Sequence, residues 1–315
     1  MELIRDFTNL NKNDSAIAGG KGASLGEMIQ AGIPVPPGFV VLSSAFEKFL
    51  EQTDLNVEID SILHSVNHKE IHTIDDASEK IKALILRAEI PQDIVTEIQK
   101  SFKKLNAKYV AVRSSATAED SASAAWAGQL ESYLNTTEEK LLKNVKKCWA
   151  SLFTPRAIFY RFEKDLHKKK ISVAVVVQKM VESEVSGIAF SVHPVTQDRN
   201  QLIIEAGFGL GEAIVSGQVT PDSYVVEKEE EMILDINVFN QEKMLIKKID
   251  GENEWVAVPK QKQNDQKLSG HEIIALSKII TDIEKHYGFP CDIEWAMEKS
   301  IFYITQSRPI TTLTK

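Results

Sequence analysis

The chain predicts an α+β fold in two lobes, and three observations carry the prediction. Its 315 residues are about twice the length of a typical domain. Amphipathic helical periodicity fills much of the first half, whereas short β-branched runs dominate the second. The chain then closes on two alternating apolar and polar strands around a tight turn.

Taken in order, Gly19-Gly20-Lys21-Gly22 leads into a helix over 23–30 that Gly32 and Pro34 stop. A strand follows over 39–42, and Ser43 or Ser44 caps a helix reaching Glu51. Residues 54–76 carry no clear period. Two amphipathic helices are predicted over 78–89 and 91–105, with Pro91 suited to a first turn. Residues 108–112 read as a strand ending at Arg113, and the run of small residues over 114–125 as a mobile loop. Helices over 137–152 and 155–163 precede a continuous β-branched run at 171–177, a strand buried on both faces that ends at Gln178-Lys179-Met180. Strands at 187–191, 202–205 and 224–227, a sheet-like stretch over 232–248 and a helix over 271–286 complete the body of the second half. In the terminal hairpin, a three-residue turn at Glu298-Lys299-Ser300 sets Asp292 opposite Gln306. Asp292, Glu294, Gln306 and Arg308 then share one face. Lobes spanning 1–180 and 181–315 follow from this reading.

Composition removes several function classes. With 37 Lys and Arg against 45 Asp and Glu, the net charge of −8 opposes long-range attraction to nucleic acid or to an anionic membrane. A phosphate ligand therefore needs a local basic site. The uncharged stretch at 28–46 holds Gln30, Pro34, Pro36 and Pro37, which an ordinary spanning helix does not tolerate. Glu2, Arg5 and Asp6 precede any apolar run, the wrong order for a secretory signal. Cys148 and Cys291 are the only cysteines. That usage suits a reducing, cytoplasmic setting and excludes a disulfide framework or a thiolate zinc site.

Two glycine motifs are decoys. Gly20-Lys21 is followed by Gly22 where a P-loop needs Ser or Thr, and Gly207-Phe208-Gly209-Leu210-Gly211 is followed by Glu212 where a dinucleotide fingerprint needs its third glycine. The terminal hairpin carries more weight. Two carboxylates on one strand face suit Mg²⁺, a hard ion that takes oxygen ligands and bridges phosphates, although an ordinary polar strand has the same pattern. Asp and Glu are poor strand formers, and here they alternate with apolar Ile293 and Trp295. Lys21 at a glycine-rich helix start and Arg113 at a strand end supply local positive charge, each open to a phosphate role or to a structural ion pair. His64, His68 and His72 share helical spacing but read as a solvated face.

Eight segments together resemble one family: Gly19 through Met28, Pro36-Pro37-Gly38-Phe39, Val112-Arg113-Ser114-Ser115-Ala116-Thr117-Ala118-Glu119-Asp120, Ala127-Gly128-Gln129, Gly207 through Glu212, Pro221-Asp222, Asp292-Ile293-Glu294-Trp295, and Gln306-Ser307-Arg308-Pro309. This is the nucleotide-binding domain of phosphoenolpyruvate synthase, shared with pyruvate phosphate dikinase and rifamycin phosphotransferase. The resemblance covers essentially the whole chain and implies an ATP-grasp fold, two lobes clasping ATP in the cleft between them. It implies that Lys21, Arg113, Gln306 and Arg308 face the polyphosphate, that Asp292 and Glu294 are Mg²⁺ ligands or near neighbours of them, and that Gln178, Met180 and Val181 border adenine. The loop from Ser121 to Gly128 resembles a flap over the phosphates. The implied acceptor is a histidine on a separate swivelling domain, and none of the seven histidines lies in such a segment. Three functions follow as expectations: the ATP-binding half of a phosphoenolpyruvate synthase acting finally on pyruvate, the equivalent domain of a rifamycin phosphotransferase, or a non-catalytic nucleotide-sensing module.

Overall fold

A computed structural model of the chain describes residues 1–117, 131–163, 172–248, 251–311 and 313. The polypeptide forms two compact units, Met1–Glu27 with Pro37–Met180, and Met28–Pro36 with Val181–Lys315. The short excursion over 28–36 has no signature in local periodicity. In the second unit its Pro34 carbonyl accepts the Ile304 N–H at 2.7 Å.

The first unit comprises β1 (Ile4–Asp6), α1 (Ser15–Gln30, as far as Glu27), β2 (Gly38–Val41), α2 (Ser43–Gln52), α3 (Leu55–His64), α4 (Ile71–Arg87), α5 (Gln92–Leu105), β3 (Val110–Ala116), β4 (Ser132–Thr136), α6 (Glu138–Ala150), α7 (Pro155–Glu163) and β5 (Val173–Lys179). Its antiparallel sheet has the order β1-β2-β5-β3-β4. Alternation sends Phe39, Val41, Val110, Val112, Val173, Val175 and Val177 into a core shared with Phe46, Phe49, Ile81, Ile94 and Trp149. There Trp149 stacks on Phe49 with ring centroids 4.9 Å apart.

Three local expectations change. α3 and the start of α4 occupy the stretch without a visible period, because α3 buries only Leu55 and Ile59 and its other positions are exposed or half-buried. α2 has no side-chain cap: Ser43 already lies in the helix, and Ser44 Oγ donates instead to the Glu2 carbonyl. β3 does not end at Arg113. Ser114, Ser115 and Ala116 continue the ladder against Val175, Ala174 and Val173, so strand pairing supplies what the small side chains lack. Residues 118–125 of the expected loop, and with them the Ser121 to Gly128 flap, lie outside the described residues.

The second unit contains β6 (Val185–Phe190), β7 (Gln201–Phe208), the short α8 (Glu212–Val215), β8 (Asp222–Glu227), β9 (Met232–Asn237), β10 (Lys243–Lys247), β11 (Asn253–Ala257), α9 (Gly270–Tyr287), β12 (Cys291–Glu298) and β13 (Ile301–Pro309). β10 and β11 form a separate hairpin, and the main sheet runs β13-β12-β6-β7-β8-β9. α9 starts in a capping box between Ser269 and Glu272 and ends at Gly288 with φ 76°. It lies across β7, β8, β9 and β12, burying Ile273, Leu276, Ile280 and Ile283. The register aligns Ile293, Ala189, Ile204 and Tyr224 across four strands, all fully buried. Residues one step along each strand, Asp292 and Glu294 among them, therefore belong to the opposite face.

Candidate functional site

In the first unit the basic groups gather on the sheet face away from the helical core. α1 breaks at Gly19, whose φ of 67° and ψ of 169° are open only to glycine. A Cβ there would stand 2.1 Å from Ser115 Oγ and 2.5 Å from the Ser115 carbonyl oxygen. The missing side chain thus lets the glycine turn lie directly on β3. Two residues later the Lys21 N–H donates to Ser115 Oγ at 3.2 Å. Arg113 and Ser115 are two apart on β3 and share a face, so the turn carrying Lys21 docks beside Arg113.

The same face includes Gln178, because Val176 pairs with Arg113 and Gln178 lies two residues further along β5. Gln178 is 2% exposed, and among the described residues its Nε2 has no hydrogen-bond partner. A buried amide donor left unpaired destabilises the protein by about 1–3 kcal/mol, which a ligand acceptor would recover. At the end of β5 the Met180 N–H is taken by the Tyr109 carbonyl at 3.1 Å, and the Lys179 N–H by Pro37 at 2.9 Å. Of the expected adenine-edge groups, Met180 has therefore only its carbonyl and side chain to offer. Gly128 lies outside the described residues.

In the second unit the terminal hairpin is present, with a different turn from that expected. Lys299 and Ser300 both adopt left-handed backbone, φ 52° and 60°, and Glu298 pairs with Ile301. The turn is thus two residues long, the form whose twist suits a hairpin. A bulge between Glu294 and Trp295 then shifts the register, leaving Glu294 opposite Gln306 and Asp292 opposite Arg308 rather than Gln306. The four polar groups still share a face, because both are cross-strand pairs two residues apart. Arg308 donates from Nε and Nη2 to one oxygen, Asp292 Oδ2, at 2.9 and 2.7 Å.

The sheet adds a carboxylate that sequence reasoning missed. Glu294 pairs with Ile188 and Ile188 with Glu205, which places Glu205 on the Asp292 and Glu294 face two strands away. Burial, and secondarily the negative charge of Asp292, hold its carboxyl above the usual carboxylate range. A glutamate directly after the apolar run Leu202-Ile203-Ile204 and before Ala206 is the available signal. Among the described residues no group of three or more His, Cys, Asp or Glu side chains could close around a metal ion. Asp292 and Glu294 are a fitting donor set for Mg²⁺ in another sense, since that ion commonly takes one or two carboxylates and completes its shell with phosphate and water. Among the described residues no helix is long and apolar enough to cross a membrane.

Cations with a buried amide donor on one sheet face, and carboxylates on another, are the chemistry of nucleotide-binding proteins. The family described as pyruvate phosphate dikinase, AMP/ATP-binding domain, matches residues 15–315, and the chain belongs to it. The chain is 46% identical to a probable phosphoenolpyruvate synthase of Methanocaldococcus jannaschii, a match covering 100% of this chain and 27% of that protein. A probable phosphoenolpyruvate synthase of Archaeoglobus fulgidus is 47% identical over 98% of this chain and 42% of its own length. Rifampicin phosphotransferase of Bacillus subtilis is 38% identical over 99% of this chain and 36% of its own length. The chain thus spans between 27% and 46% of the phosphoenolpyruvate synthases it matches.

Proposed function

We propose that this chain is the ATP-binding, phosphoryl-donor part of a phosphoenolpyruvate synthase-like enzyme of the ATP-grasp class, with lobes 1–180 and 181–315. The observation that carries the reading is the docking of the Lys21 turn beside Arg113 on the face that also holds the orphaned Gln178 amide. Lys21 and Arg113, with Gln306 and Arg308 from the hairpin, neutralise the polyphosphate. Gln178, Met180 and Val181 border the base, Gln178 donating to a ring acceptor. Asp292 and Glu294 would hold Mg²⁺, which supplies further positive charge to the phosphate oxygens. In phosphoryl transfer the nucleotide-binding part contributes positioning and charge stabilisation rather than a covalent bond, which is what these side chains provide. The phosphoryl acceptor is a histidine on a separate swivelling domain, from which the phosphate passes to pyruvate.

The 38% identity to rifampicin phosphotransferase over 99% of this chain favours a second reading in which the final acceptor is a rifamycin, because the nucleotide part is common to both. A nucleotide-sensing module without transfer is the third. Titration calorimetry with ATP tests the shared claim. Lys21→Ala and Arg113→Ala should each weaken binding by roughly tenfold to a hundredfold, the equivalent of about 1.5–3 kcal/mol per charged contact. Unchanged affinity in both variants sinks the site. Labelled ATP incubated with the chain and a histidine-bearing domain of either relative then identifies the acceptor by mass spectrometry, and absence of any phosphohistidine leaves the sensing module.

A further inference from the structure

We propose that Arg308 is a placeholder cation: it occupies Asp292 Oδ2 until a nucleotide arrives, so that a divalent ion enters only together with a polyphosphate. The inference rests on the nucleotide reading above and adds an order of events to it.

The two-residue turn and the bulge at Glu294 set Asp292 against Arg308. Both guanidinium donors converge on Oδ2, which leaves that oxygen little lone-pair density for a metal. A hard dication at the same oxygen would also stand within a few ångströms of the guanidinium charge. The two partners differ in freedom to move. Asp292 lies on β12, laddered on both sides by β13 and β6, and its side chain is 16% exposed. Arg308 lies on the edge strand β13 and is 50% exposed, so the arginine is the member that can swing away.

Without nucleotide, departure of the guanidinium would leave the Asp292 carboxylate on one face with the Glu294 and Glu205 carboxylates, its own ion pair lost. The protein also offers a metal too few ligands to evict it: among the described residues no three-residue ligand group exists. A polyphosphate changes both conditions. It gives the guanidinium a bidentate anionic partner and gives the metal the phosphate oxygens that Asp292 and Glu294 cannot supply. Guanidinium and dication exchange anions, and charge on the hairpin stays balanced throughout.

Titration of the full chain with Mn²⁺ alone, followed by electron paramagnetic resonance of the free ion, tests the proposal. Wild type should bind Mn²⁺ weakly. Arg308→Ala should bind it on the order of tenfold more tightly, because a unit charge about 4 Å from a dication is removed even after screening. Arg308→Lys, which keeps the charge but loses the two-pronged contact, should fall between them. Adding Asp292→Asn to Arg308→Ala should abolish the gain. Equal or weaker Mn²⁺ binding by Arg308→Ala, in protein whose melting curve shows it folded, overturns the proposal, and so does a gain that survives Asp292→Asn. A separate titration of wild type with Mn²⁺ and a non-hydrolysable ATP analogue tests the underlying reading: no saturable binding there removes the nucleotide site itself, whatever the metal does alone.

Discussion

Replacing Asp222 by alanine should unfold the second unit more readily than any surface change, and the structure sets the scale. The side chains of Asp222 and Lys267 are both 0% exposed, with Nζ 2.9 Å from Oδ1. The same carboxylate accepts the Phe239 N–H at 2.9 Å on Oδ1, and on Oδ2 the Lys267 N–H at 3.0 Å and the Tyr224 hydroxyl at 2.8 Å. Alanine would leave one ammonium and three neutral donors buried, although Lys267 Nζ keeps the Phe239 carbonyl at 2.6 Å. Breaking a buried ion pair from one side costs about 3–5 kcal/mol, and orphaned neutral donors add about 1–3 kcal/mol each where water does not reach them. These terms overlap, so about 5 kcal/mol is a fair expectation, or roughly 10–20 °C in the melting transition of a domain this size. Differential scanning calorimetry would measure it. A charge-free double variant, Asp222→Leu with Lys267→Met, should be more stable than either single one, since it strands no charge. Tyr224 gives an independent readout. Burial, then its bond to Asp222, raises its pKa, so ultraviolet titration of Asp222→Ala should show that pKa falling towards the usual tyrosine range. Melting of Asp222→Ala within about 3 °C of wild type, or singles that sum to the double, would refute the ion-pair argument.

Gly19→Ala forces a Cβ into glycine-only backbone 2.1 Å from Ser115 Oγ, and should lower both the stability of the first unit, by about 3 kcal/mol or more, and ATP affinity; wild-type values for both would separate the turn from the site. Glu205→Gln should become progressively more favourable relative to wild type as pH rises from about 4.5, the ordinary value for this carboxyl. The folded carboxyl titrates higher than the unfolded one, so its stability contribution is complete below the unfolded pKa and declines as pH passes through the raised folded pKa. A pH-independent difference in melting temperature between the two proteins would contradict that shift. Cys148 and Cys291 are buried, and burial above all pushes the Cys291 thiol up to about 12. Ellman's reagent at pH 8 should therefore report no fast-reacting thiol until denaturant is added.

How much of this was legible in advance depended on the range of the interaction concerned. The helices α5 and α9 follow from a period of about 3.6, and the strand β5 from its continuous β-branched run, both local properties of neighbouring residues. α3 did not, because Leu55 and Ile59 are too few apolar positions to establish a period. β3 was cut short at Arg113, because small side chains carry no strand preference and only the ladder to β5 extends it through Ala116. Glu205 was passed over for a related reason: its significance is positional, and its neighbour Ile188 lies in a different segment of the chain.

By itself the sequence determined the α+β class, the motifs that mark the family, and the alternation that puts Asp292 with Glu294 and Gln306 with Arg308, all of them local properties of a few consecutive residues. Tertiary structure decided which of these groups are partners. The pairing of Arg308 with Asp292 turns on two left-handed residues and one bulge, each of which moves the register by a residue. The approach of Gly19 to Ser115 spans 96 positions of sequence and the Asp222 pair with Lys267 spans 45. Such contacts form where packed sheets and helices exclude water from charges and amides that the linear chain leaves solvated, and no local pattern encodes which distant donor will be there to meet them.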